Sequence, residues 1–103
     1  MQLSRTEAVR AALANNNGAY GQADVNSSAS AISSSTSVFN HGVAVKALAT
    51  NTAVVYVGFD SSTSASTGVE LNPGEGVELK IDQLAKVFAY TATPTQKVSY
   101  VAT

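Results

Sequence analysis

A chain of 103 residues makes at most one compact domain, and six Lys and Arg against seven Asp and Glu leave a net charge of -1. That balance, with no basic stripe, excludes charge-driven binding to nucleic acid or to an anionic membrane surface. Charged residues are only 13 %, about half the usual share, and a surface of Ser, Thr, Ala, Asn and Gly suits permanent assembly better than life as a free monomer.

The residues after Met1 carry two arginines and a glutamate where a signal peptide would carry an apolar run. The chain therefore reads as one made in the cytoplasm, and no segment has the roughly 18 apolar residues of a membrane span. Ser4-Arg5-Thr6-Glu7 forms an S-x-x-E capping box, with Glu7 at the positive end of the helix dipole. The alanines that follow favour a helix, Val9 and Leu13 share one face, and Asn15-Asn16-Asn17-Gly18 ends it. Three turns are marginal in water, so this helix needs a partner surface. Residues 18–37 are small and hydroxylated with isolated apolar side chains, which predicts a flexible linker. Residues 1–37 thus read as an assembly arm, with Arg5, Val9, Arg10, Leu13 and Tyr20 as its partner-binding residues. The arginines suit carboxylates, and Tyr20 is the one aromatic of the arm.

Strand character begins at Val38. Val43, Val45 and Ala47 alternate onto one face, and residues 53–57 form a β-branched and aromatic run expected to be buried on both faces. Residues 60–67 are a polar loop. Val69-Glu70-Leu71 leads into Asn72-Pro73-Gly74-Glu75, a type II turn by its Pro-Gly pair, then Val77-Glu78-Leu79-Lys80-Ile81. The segment from Leu71 to Leu79 reads as a hairpin, Asp82 as an Asx-type cap of the next corner. Strands at residues 86–91 and 98–101 close the chain. Val55, Val57, Leu71, Val77, Leu79, Ile81, Val87 and Val98 are the expected core. About six short strands with turns between them and no crossover helices predict an all-β fold. The expected form is a small antiparallel β-sandwich or jelly-roll-like barrel over residues 38–103, preceded by the short helix and extended arm.

The chemistry of a site is harder to find. There is no cysteine and one histidine, His41, so neither a nucleophile-base pair nor a usual zinc set is spelled out. Asp60, Glu70, Glu75, Glu78 and Asp82 match no calcium-loop motif. The glycine-rich stretch at residues 72–76 lacks the Lys-Ser/Thr of a phosphate loop and leads into a strand. No cofactor or metal is implied, and the chain reads as a non-enzyme.

From Val55 onward the sequence resembles a domain that recurs in virion proteins of tailed bacteriophages. The resemblance is carried by Val55-Tyr56-Val57-Gly58, by Thr67-Gly68, by Leu71-x-Pro73-Gly74-Glu75-x-Val77-x-Leu79-x-Ile81-Asp82-x-Leu84-x-Lys86-Val87-Phe88, and by Gln96-x-Val98-x-Tyr100-Val101. It covers about half the chain, and it departs from the pattern at Pro94-Thr95, where a glycine is expected. It implies a β-sandwich that builds or decorates the particle: a capsid decoration or cement protein, or the base of a head fibre. The implied partners are the major capsid protein or other virion subunits, with a homo-oligomer expected and the virion as the place of work. A host-surface or glycan-binding module on a tail, using loop 59–67, is the alternative.

Overall fold

The computed structural model describes residues 18–103. Eight strands make two four-stranded antiparallel sheets. They are β1 (Ala19–Val25), β2 (Ser30–Ala31), β3 (Val43–Ala47), β4 (Val55–Gly58), β5 (Val69–Leu71), β6 (Gly76–Leu79), β7 (Phe88–Tyr90) and β8 (Gln96–Ala102), with a 3-10 turn at Leu84–Lys86. One sheet has the order β1-β8-β3-β6 and the other β2-β7-β4-β5.

The pairings are nested: β1 with β8, β2 with β7, β3 with β6 and β4 with β5. This is a long antiparallel hairpin rolled upon itself and stitched by β3·β8 and β4·β7. The winding is that of a jelly roll, and both sheets turn their apolar alternation inward. Val25, Val45, Val55, Val57, Leu84, Val87 and Val98 are fully buried between them.

The all-β sandwich agrees with the sequence expectation, and four differences follow from how the sheets close. First, the sandwich begins at Ala19, because the stretch expected to be a linker supplies β1 and β2. Its isolated apolar residues plug the core one at a time: Val25 and Ile32 are buried, and the Ile32 amide donates to the Val87 carbonyl at 2.9 Å. The expected helix lies outside the described residues. Second, Leu71 to Leu79 is not a hairpin, since β5 and β6 belong to different sheets. The turn itself is as expected, with Gly74 at φ 89° and the Glu75 amide donating to the Asn72 carbonyl at 2.9 Å. It is held against β3 by hydrogen bonds from Gly74 N to Ala47 O and from Ala47 N to Glu75 O, both 2.9 Å, so the chain crosses between sheets there.

Third, β4 is buried on one face only: Val55 and Val57 point inward while Tyr56 is half-buried on the outer face. A two-layer fold leaves that side of the strand to solvent. Fourth, the Asp82 carboxylate makes no Asx turn and takes the Lys86 ammonium at 2.8 Å. Of the expected core, Val55, Val57, Leu71, Leu79, Val87 and Val98 are buried, whereas Val77 and Ile81 are half-buried at its margin.

Candidate interaction surface

Two outer faces, one long edge and a cleft are what the sandwich offers to other molecules. The outer face of the sheet β2-β7-β4-β5 is aromatic. Tyr56 and Tyr90 are direct cross-strand partners with ring centroids 6.2 Å apart and planes tilted by 41°, a separation at which the ring quadrupoles attract. In the next row Phe88 lies opposite Gly58. Glu70, opposite Tyr56 on β5, is the one charged strand residue of this face. Phe59, just past β4, is 60 % exposed.

Loop 59–68 is folded down onto one end of this face. Gly58 permits that approach: a Cβ there would overlap the Thr63 hydroxyl, and Thr63 is buried. The loop orders itself through its own side chains. The Asp60 carboxylate accepts from the Ser62 amide at 3.0 Å and the Ser62 hydroxyl at 2.6 Å. The Thr67 hydroxyl donates to the Ser62 carbonyl at 2.9 Å, and the Thr63 hydroxyl to the Asp60 carbonyl at 2.7 Å. Hydrogen bonding by Ser62, side chain first and backbone second, holds the Asp60 carboxyl below its ordinary value.

The outer face of the other sheet is polar and mixed in charge. Across β1, β8, β3 and β6 it shows Tyr20, Val101, Ala44 and Glu78 in one row and Gln22, Ser99, Lys46 and Gly76 in the next. Asp24 and Lys97 form a third, joined at 2.9 Å.

At one end of the sandwich an open cleft of about 430 Å³ is lined by Phe39, Asn40, His41, Gly42, Lys80, Ile81 and Asp82. The Asp82 carboxyl is lowered, first by its hydrogen bond with Lys86, and that ion pair already engages it. Glu75 is likewise used locally, accepting from the Asn72 amide and side chain at 2.8 and 2.9 Å. Asp60 and Glu75 therefore close turns, and His41 stands apart from both in the cleft. Among the described residues no group of three or more His, Asp or Glu is placed to hold a metal ion.

Of the partner-binding residues expected from sequence, Tyr20 is on β1 and 67 % exposed. Arg5, Val9, Arg10 and Leu13 lie outside the described residues. The aromatic face is not anticipated as a surface, because residues 53–57 read as a run buried on both faces, whereas Tyr56 stands half-buried on the outer one. No protein-family model, curated protein or solved structure matches this chain.

Proposed function

We propose that the protein is a structural subunit of a tailed-bacteriophage virion, a capsid decoration or cement protein or the base of a head fibre, and that it works by binding without catalysis. The observation that carries the proposal is the coincidence of motif and fold. The residues that resemble phage virion proteins, Val55, Val57, Leu71, Leu79, Leu84, Val87 and Val98, are the buried wall of a jelly roll. Jelly rolls recur in viral capsid and lectin domains, which supports the assignment by analogy of fold. The aromatic face adds a physical reason, since a surface of Tyr56, Phe88 and Tyr90 with one charge is suited to desolvation against another subunit. The major capsid protein or another virion subunit is the partner. Residues 1–17, with Arg5, Val9, Arg10 and Leu13, act as the arm that reaches it.

The test is the composition of purified virions from a host carrying the coding sequence. Mass spectrometry should find the chain in fixed ratio to the capsid subunit. Its confinement to the soluble lysate overturns the proposal.

A second function is favoured by one observation. Tyr56, Tyr90 and Glu70 stand side by side in a single cross-strand row, which pairs ring faces for sugar C–H groups with a carboxylate acceptor for hydroxyls. A glycan array bound by the wild type and not by Tyr56→Ala would assign the face to a tail-associated glycan-binding module.

A further inference from the structure

Four strands end the two sheets: β1 and β6 in one, β2 and β5 in the other. β6 has four residues, β5 three and β2 two. Short edges are the usual defence against pairing with a foreign strand. β1 is different. It has seven residues, pairs with β8 in continuous one-to-one register from Ala19 to Val25 without a bulge, and contains neither Pro nor Lys. Its inward-facing Ala19, Gly21 and Ala23 are only half-buried, although their partners on β8 include Val98 and Ala102, which are fully buried. Among the described residues nothing pairs with the outer edge of β1.

We infer that this edge is the interface with a second copy of the chain, formed by antiparallel pairing of β1 with β1 of the partner about a two-fold axis at Gln22. The register is set by overlap and by charge. A two-fold pair must keep inward residues opposite inward residues, and only the arrangement centred on Gln22 pairs all seven positions of the strand. It places Ala19 opposite the partner's Val25, and Gly21 opposite the partner's Ala23, continuing the small apolar stripe. On the outer face it places Tyr20 opposite the partner's Asp24, and Gln22 opposite the partner's Gln22. No like charges meet. A shift that centred the axis on Asp24 would oppose two carboxylates and lose overlap. The β1-β8-β3-β6 sheets of the two copies become one continuous sheet, and the isologous contact closes at two chains, leaving no free β1 to propagate a fibre. This interface does not depend on the proposed virion role.

The measurement is sedimentation equilibrium of the full chain at about 100 μM, with circular dichroism of each variant. The wild type should have twice the 10.5 kDa chain mass. Gln22→Lys and Gln22→Glu, at an exposed position, each put like charges on the axis and should be monomeric, with dimerisation at least tenfold weaker. An equimolar mixture of the two should regain the dimer mass, since the axis then joins unlike charges. A monomeric wild type, a Gln22→Lys variant with wild-type mass, an assembly larger than two chains, or a mixture that stays monomeric overturns the inference.

Discussion

The side-chain amide of Gln96 brackets Thr52: its Oε1 accepts from the Thr52 amide at 2.8 Å while its Nε2 donates to the Thr52 hydroxyl at 3.2 Å. The same amide also accepts from Ala53 N at 3.2 Å and donates to the Thr93 carbonyl at 2.7 Å. Gln96 is buried, and one side chain thereby ties the loop before β4 to the turn before β8. Gln96→Leu keeps the volume and removes every partner. Leaving backbone amides unsatisfied costs about 1–3 kcal/mol per group where water cannot reach, and these are partly exposed, so a loss of about 2 kcal/mol in urea unfolding is expected. An unchanged midpoint would show that water replaces the amide fully.

Leu79 on β6 and Leu84 in the 3-10 turn both belong to the core and test it. Leu84 is 1 % exposed and Leu79 8 %. Either change to Ala should destabilise by about 2–5 kcal/mol, the larger loss falling on Leu84, where less surrounding surface is free to collapse. Equal midpoints for Leu84→Ala and wild type would contradict its placement in the core.

Much of this fold was legible in the sequence. Strands β3 to β8 follow from alternation, from the apolar run at residues 53–57 and from turn chemistry, of which Pro73-Gly74 is the clearest case, because φ 89° is a conformation glycine adopts freely. What was not legible has a common cause. β1 is built from Ala19, Gly21 and Ala23 on its inner side because Tyr100 and Val98 on β8 fill the space opposite. A strand whose partner supplies the bulk has no apolar pattern of its own, so its composition resembles a linker. The same limit hid the crossing at residues 72–75: local turn residues specify the bend, whereas the sheet that receives the next strand is decided by β3. Among candidate site residues, Tyr20 reads from sequence as part of a flexible arm but stands exposed on β1 of the sandwich, and the Tyr56–Tyr90 pair needs the cross-strand register.

Gly58→Ala probes the seat of loop 59–68. The new methyl would overlap the Thr63 hydroxyl, which is buried and donates to the Asp60 carbonyl. The expected result is a loss of about 1–3 kcal/mol from overpacking, together with faster hydrogen exchange at Thr63 and Gly68, whose amides donate within the loop. The double variant Gly58→Ala with Thr63→Ala should lose less stability than the sum of the two single changes, because it removes the hydroxyl that the methyl would overlap. Protection unchanged in Gly58→Ala would place the loop away from the sheet.

Acid should act on loop 59–68 and on the Asp82–Lys86 pair in a defined direction. Both Asp60 and Asp82 are held below the ordinary carboxylate value, Asp60 by the Ser62 hydrogen bonds and Asp82 by Lys86. A folded value below the unfolded one means that the contribution is fully present above about pH 4 and is lost as pH falls through the folded values. Both groups lie at the surface, so the effect on global stability is small. It should be read locally. The carboxyl carbon-13 shifts of Asp60 and Asp82 should titrate with midpoints below that of an ordinary aspartate, and the Ser62 amide proton should move with Asp60. Ser62→Ala removes the hydroxyl donor and should raise the Asp60 midpoint while leaving that of Asp82 in place. Lys86→Met should do the reverse, since the Lys86 ammonium is 2.8 Å from Asp82. A midpoint for Asp60 unaltered by Ser62→Ala would mean that the Ser62 hydroxyl does not hold the loop closed in solution.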